Sequence, residues 1–298
     1  MFFKKTKIDF EKKLDEISFY IKNTNKIVHD LSYSMQEVTL LKTKIEDLEK
    51  QNIQLQKNYE EVTKALSDIN RKCGSADKHS SESVWSQVFH DAIQNSEWLL
   101  DKKFFPGRWA VGYPAMYMIY RVLENFKPKS ILELGLGQST RVIGQYSSYN
   151  KNVKHIVCEQ DSSWIEFFKR DFELPRNTKI QQLEYEYASY NDSEVRQYKN
   201  FKSVFNSERF NFIVIDAPLG GDLKKYSRVD VVQLMPQILE DDFVIIMDDY
   251  NRTQERNTIE DMKTILRKNN ISFVDAKFYG QKETVILCSM SLSFLTSI

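Results

Sequence analysis

The chain has 298 residues, of which 28% are charged, and its 42 basic and 42 acidic side chains cancel. A chain with no net charge has no global field to steer it onto nucleic acid or an anionic membrane, and no long basic run supplies a local one. Three cysteines, Cys73, Cys158 and Cys288, lie far apart without CxxC or Cys/His spacing, which argues against a zinc site or disulfide framework and for a reducing, cytoplasmic setting.

The amino terminus reads MFFKKTKIDFEKK, with no apolar stretch of the kind a signal peptide needs. Nowhere do about 18 apolar residues run together, so no membrane span is expected. Residues 1–70 contain neither glycine nor proline and carry a regular apolar beat. From Val38 the a positions are Val38, Ile45, Asn52, Tyr59 and Leu66, and the d positions are Leu41, Leu48, Leu55, Val62 and Ile69. All but Asn52 are apolar, as a coiled-coil seam of period about 3.5 requires. Glu37 with Lys42 and Lys44 with Glu49 fall at g and the following e with opposite charges. Asn52 at an a position is a device that fixes register in a parallel pair. The expectation is a helical coiled coil that makes the chain a homo-oligomer, against the plainer alternative of one amphipathic helix packed on the rest of the chain.

Residues 71–83, RKCGSADKHSSES, read as a linker to a second domain over 84–298. In that domain Val84–Leu100 and Tyr113–Phe126 are expected as helices, separated by the loop FFPGRWAVGYP. Strands and helices then alternate. Strands are expected at Ile131–Leu134, Val153–Cys158, Lys179–Leu183, Phe210–Ile215 and Phe243–Met247. Helices are expected at Thr140–Tyr146, Ser163–Phe172, Val231–Leu239 (capped by Asp230 and kinked at Pro236) and Thr253–Arg267. Ile271–Phe278 and Thr284–Cys288 close the chain as two strands joined by so short a turn that they must be antiparallel. The fold class is therefore α/β, a Rossmann-like doubly wound seven-stranded sheet with an antiparallel last strand, preceded by the α-helical coiled coil.

Three constellations carry chemistry. The first is ILELGLGQST, residues 131–140, where Glu133 ends a strand and Gly135 and Gly137 let the backbone turn closely around a ligand. A helix begins near Ser139 with its amino terminus toward the same space. A dinucleotide fingerprint would need glycine at 140, where threonine stands. Glu133, two positions before the first glycine, instead fits the pattern of S-adenosylmethionine sites. The second is HIVCEQD, where Glu159 is placed to accept hydrogen bonds from both ribose hydroxyls and Asp161 to cap the next helix; the alternative is that both merely cap. The third is Asp216, ending IVID, with Asp248 and Asp249, ending VIIMDD. Carboxyl ends of neighbouring strands would crowd these three carboxylates, and a hard cation such as Mg²⁺ or Mn²⁺ would relieve them and acidify an acceptor hydroxyl. The plainer alternative is that Asp216 touches ligand while Asp249 caps a helix.

On ILELGLGQST, IVCEQD, FIVIDAP and IIMDD, residues from about 104 to 290 resemble class I S-adenosylmethionine-dependent methyltransferases. The D…DD arrangement is similar to that of metal-dependent O-methyltransferases of the catechol and macrolide-sugar kind. That resemblance implies Asp216, Asp248 and Asp249 as metal ligands. IDAPLGGDLKKYSRVD also resembles the DAP-x-G segment of plant glucuronoxylan methyltransferases, which implies a sugar acceptor, such as a bacterial surface polysaccharide. Two departures concern the general base: Leu219 stands where catechol-type enzymes have lysine, and DDYNR lacks the histidine of some sugar enzymes. Lys224 and Lys225 remain as candidates. Val195, Tyr198, Phe201 and Phe205 recur at helical spacing and read as core, Tyr187 or Tyr190 could stack on a sugar, and Trp109, Gly112 and Tyr113 could close over a cofactor. None of the four histidines falls in a catalytic motif. Two other classes compete: a methyltransferase-fold scaffold working through its coiled coil, and a nicotinamide-dependent oxidoreductase.

Overall fold

The computed structural model describes residues 2–107 and 109–297, with side chains from residue 10 onward. It divides into two compact units, Met1–Cys73 and Gly74–Ile298.

The described residues of the first unit are all helix, the opening stretch of α1 (Phe2–Ala92). Every a and d residue named above from Val38 to Ile69 belongs to it, and the apolar ones are exposed; Leu48 keeps 59% and Leu55 65% of its surface.

Residues 71–83 are helical: α1 runs through them to Ala92, and the segment 93–100 beyond is not helical. Gly74 meets no atom within 4 Å of where a Cβ would be, and one glycine costs a helix only about 1 kcal/mol. Tertiary contacts in the second unit outweigh that. Ser81 Oγ and Trp85 Nε1 both donate to the Tyr279 carbonyl, and Glu82 accepts from the backbone N–H groups of Tyr113 and Gln281.

In the second unit α2 (Tyr113–Arg121) continues as a wider helical turn to Phe126. Then come β1 (Ser130–Leu134), α3 (Gln138–Tyr149), β2 (Lys154–Glu159), α4 (Ser162–Asp171) and β3 (Thr178–Gln182). A hairpin of β4 (Tyr185–Tyr190) and β5 (Ser193–Tyr198) precedes the short α5 (Phe201–Phe205). The chain closes with β6 (Phe210–Ile215), β7 (Leu239–Met247), α6 (Thr253–Lys268), β8 (Phe273–Tyr279) and β9 (Glu283–Ser289). The seven-stranded sheet has the order β3-β2-β1-β6-β7-β9-β8, with β9 antiparallel to both neighbours and the others parallel to one another. Strand residues bury both faces: Ile131, Phe212, Val214, Val244 and Ile246 pack under α2 and α3, and Leu132, Ile213, Ile215 and Ile245 pack against α6. Burial on both sides is why these strands read as continuous apolar runs.

Two segments differ from expectation. Val231–Leu239 holds only a 3₁₀ turn, Val232–Leu234, because proline lacks an N–H and forces Met235 extended (φ −75°, ψ 146°). Asp230 does not cap it but accepts from the Tyr198 backbone N–H at 2.7 Å. Val195, Tyr198, Phe201 and Phe205 are buried, as expected, yet they lie on β5 and α5 rather than on one helix.

Candidate functional site

The strand order reverses between β1 and β6, and ligands of open α/β sheets bind at such a switch point, beyond the carboxyl ends of the strands. There a crevice of about 590 Å³ is lined by Gly135, Leu136, Gly137, Ser139, Glu159, Trp164, Asp216 and Ala217, among others.

The glycine loop is built for close approach. Gly135 has φ +106°, and a Cβ there would sit 3.2 Å from that of Ala217. A Cβ on Gly137 would meet nothing within 4 Å, so this crevice-lining glycine leaves room that no protein atom fills. The Gly137 N–H donates to Thr140 Oγ1 at 3.1 Å, which ties the loop to the first turn of α3. Ser139 follows on that turn, and the positive end of the helix faces the crevice.

Glu159 ends β2 with its carboxylate fixed by three backbone amides: Leu136 at 3.1 Å, Gln160 at 2.8 Å and Asp161 at 3.0 Å. Asp161 caps α4, accepting from Ser163 and Trp164. Glu133 is elsewhere. It is fully buried, is absent from the crevice lining, and meets His155 Nε2 at 2.7 Å. His155 in turn faces Thr178 through Nδ1. The acidic position before the glycines is therefore an internal hydrogen-bond partner, and His155 has a role the sequence pattern gave no sign of.

Asp216, Asp248 and Asp249 do come together, with one oxygen of each within 4.8 Å of the others. Asp216 lines the crevice, and burial pushes its carboxyl up to about 7, against the pull of Arg228 and with help from Asp248. Asp248 and Asp249 lie deeper, neither of them in the crevice wall. An all-oxygen set of this kind fits a hard divalent cation such as Mg²⁺ or Mn²⁺. The chain also supplies cations of its own. Arg228, 2% exposed, donates to Asp216 at 3.2 Å and to Asp249 at 2.8 Å, and to the carbonyls of Asp248, Ile215 and Pro218. Lys282 donates to Asp248 at 3.1 Å and to the Ala110 carbonyl at 3.0 Å, and lies 3.7 Å from Asp249. Burial works against its charge, but Asp248, Asp216 and Asp249 together hold its pKa above the usual lysine value. Thr284 Oγ1 donates to the other oxygen of Asp248.

Lys224 and Lys225, the candidate bases, are exposed and outside this cluster; Lys225 sits over the Tyr226 ring. Trp109 lines the crevice and is exposed, whereas Gly112 and Tyr113 do not line it. Trp164 and Phe167 stack on each other at the rim, with Trp164 Nε1 donating to the Leu136 carbonyl. Tyr187 is exposed beneath the Arg196 guanidinium, while the Tyr190 hydroxyl is taken up by Asp261.

No protein-family model and no curated protein matches the sequence. Solved structures similar to the chain include an SAH-bound methyltransferase from Podospora anserina, at 13% identity and TM-score 0.43 over 68% of this chain and 94% of that one. An O-methyltransferase from Bacillus cereus in complex with SAH is similar at 15% identity and TM-score 0.39, over 71% of this chain and 91% of its own. A spermidine synthase bound to a transition-state analogue is similar at 12% identity and TM-score 0.37, over 58% of this chain and 60% of its own.

Proposed function

We propose that the second unit binds S-adenosylmethionine in the switch-point crevice and transfers its methyl group to a hydroxyl oxygen. One observation carries this reading: the Gly135–Gly137 loop and the amide-fixed Glu159 carboxylate open into the same crevice as Asp216. Glu159 accepts from the ribose hydroxyls. The first-turn amides of α3, with Ser139, receive the methionine carboxylate, as helix amino termini receive anions. Trp164 and Phe167 offer an aromatic surface to the adenine. The acceptor oxygen attacks the methyl carbon, the sulfur–methyl bond breaks to leave a neutral thioether, and the proton passes to Asp216. Arg228 orients that carboxylate through its Oδ1. A divalent cation held by Asp216, Asp248 and Asp249 would acidify the acceptor hydroxyl, whose proton would then leave to water rather than to the ligated Asp216.

The acceptor we propose is a sugar hydroxyl of a glycan, such as a bacterial surface polysaccharide. Exposed Phe105 and Trp109 line the crevice mouth, and flat apolar faces beside polar groups suit a pyranose ring. The α1 seam would pair with a second copy of itself, making the chain a homo-oligomer. A nicotinamide cofactor is the poorer fit, because Thr140, fully buried, stands where the dinucleotide fingerprint needs a third glycine for close packing of helix on strand.

The test is transfer of radiolabelled methyl from S-adenosylmethionine to a panel of glycans, with and without chelator. Base-stable label in carbohydrate that chelation removes is expected. Full transfer in excess chelator would eliminate the cation, and label found only on protein or nucleic acid would eliminate the acceptor.

A further inference from the structure

The two cations that meet the aspartate trio differ in how firmly they are held. Arg228 is wrapped by two carboxylates and three backbone carbonyls, and its planar fork has no second position to take up. Lys282 is a point charge on a flexible stem, 17% exposed, that touches Asp248, Asp249 and the Ala110 carbonyl. We infer that Lys282 is a resident counter-ion, which a divalent cation must displace to reach Asp216, Asp248 and Asp249. This rests on the cation reading proposed above.

Charge balance favours exchange over addition. With all four carboxylates ionised, Asp216, Asp248, Asp249 and Glu255 meet Arg228, Arg252 and Lys282, which leaves one negative charge in a largely buried cluster. A divalent ion added beside Lys282 would leave one positive charge instead, and an uncompensated buried charge is costly in either sign. The same ion in place of the ammonium brings the cluster to neutrality.

Geometry confines the movement to the lysine side chain. The turn that carries Lys282 is clamped from α1: Glu82 Oε2 accepts from the Gln281 N–H at 2.8 Å, and Ser81 and Trp85 hold the Tyr279 carbonyl. A Cβ on Gly280 would lie 2.2 Å from Glu82 Oε2 and 2.8 Å from Pro114 Cγ, so any side chain there would disturb the clamp. The backbone therefore stays in place while the ammonium swings toward solvent. In leaving, it gives up the Ala110 carbonyl, in a segment that lines the crevice, so loading the trio also frees one wall of that crevice.

The test uses the full chain with Mn²⁺ as probe. Binding to wild type, Lys282→Met and Lys282→Arg is measured by electron paramagnetic resonance. In parallel, acetylation of the Lys282 amine in wild type is followed by mass spectrometry as Mg²⁺ is added. The inference predicts Mn²⁺ binding to Lys282→Met tighter than to wild type by roughly tenfold or more, wild-type-like affinity in Lys282→Arg, and several-fold faster acetylation with Mg²⁺. Equal Mn²⁺ affinity in wild type and Lys282→Met, with acetylation unchanged by Mg²⁺, would overturn the displacement while leaving the cation reading intact. No Mn²⁺ bound by any of the three would overturn the cation reading, and the displacement with it.

Discussion

Arg228→Met is the substitution whose cost the structure defines best. Arg228 is fully buried and bridges Asp216 and Asp249, at 3.2 Å and 2.8 Å, while also donating to the Asp248 carbonyl at 2.9 Å. Methionine replaces the stem but leaves two carboxylates facing each other without their shared cation. Breaking a buried pair from one side costs about 3–5 kcal/mol. For a unit of this size, where 1 kcal/mol shifts the melting temperature by about 2–4 °C, that is a fall of roughly 6–20 °C. Lysine should not rescue it, because a single ammonium cannot reproduce the fork that meets both carboxylates and the carbonyls. Urea denaturation of wild type, Arg228→Met and Arg228→Lys, followed by circular dichroism, measures this directly. A loss below about 1 kcal/mol in Arg228→Met would mean that the trio is solvated or protonated in the native state, and that the ion network is not what holds it.

Burial, opposed by the Tyr198 N–H, raises the Asp230 carboxyl to about 7, above its unfolded value. The native state therefore holds that proton more tightly: the associated stability is full below about pH 4 and is lost as pH rises through about 7, at up to about 1.4 kcal/mol per unit. Asp230→Asn should lack that slope in urea titrations between pH 5 and 8; parallel wild-type and variant curves would refute it. Gly135→Ala should lose about 1–3 kcal/mol from its positive φ and its approach to Ala217, read by thermal melting, with S-adenosylhomocysteine affinity falling alongside. The exposed α1 seam predicts that the full chain sediments as a dimer and that Asn52→Leu raises its melting temperature while admitting higher oligomers. A monomer at micromolar concentration in analytical ultracentrifugation would contradict this.

The strands were legible because their sequence is local evidence. Phe210–Ile215 is buried on both faces, and its apolar run marks it from end to end. The acidic and glycine positions at strand ends followed from the same alternation, which is why Gly135, Gly137, Ser139, Glu159 and Asp216 all reach one crevice. What stayed hidden depends on partners distant in sequence. A serine-rich, glycine-bearing stretch such as 71–83 gives no sign of helix until Ser81 and Glu82 find the turn at 279–281, about 199 positions away. The hairpin of β4 and β5 alternates polar and aromatic residues at a spacing that also fits a helix, and only pairing with its own second strand decides between them. Arg228 and Lys282 carry no local mark of burial. Each becomes part of the site only because Asp216, Asp248 and Asp249 stand at the ends of β6 and β7.

Isothermal titration with S-adenosylhomocysteine and NAD⁺ tests whether the crevice is an S-adenosylmethionine site. S-adenosylhomocysteine should bind one per chain, and Glu159→Ala should weaken it by about 1–3 kcal/mol through loss of charged hydrogen bonds. NAD⁺ should give no heat of binding. Binding of NAD⁺ without S-adenosylhomocysteine, or S-adenosylhomocysteine binding indifferent to Glu159→Ala, would contradict the account.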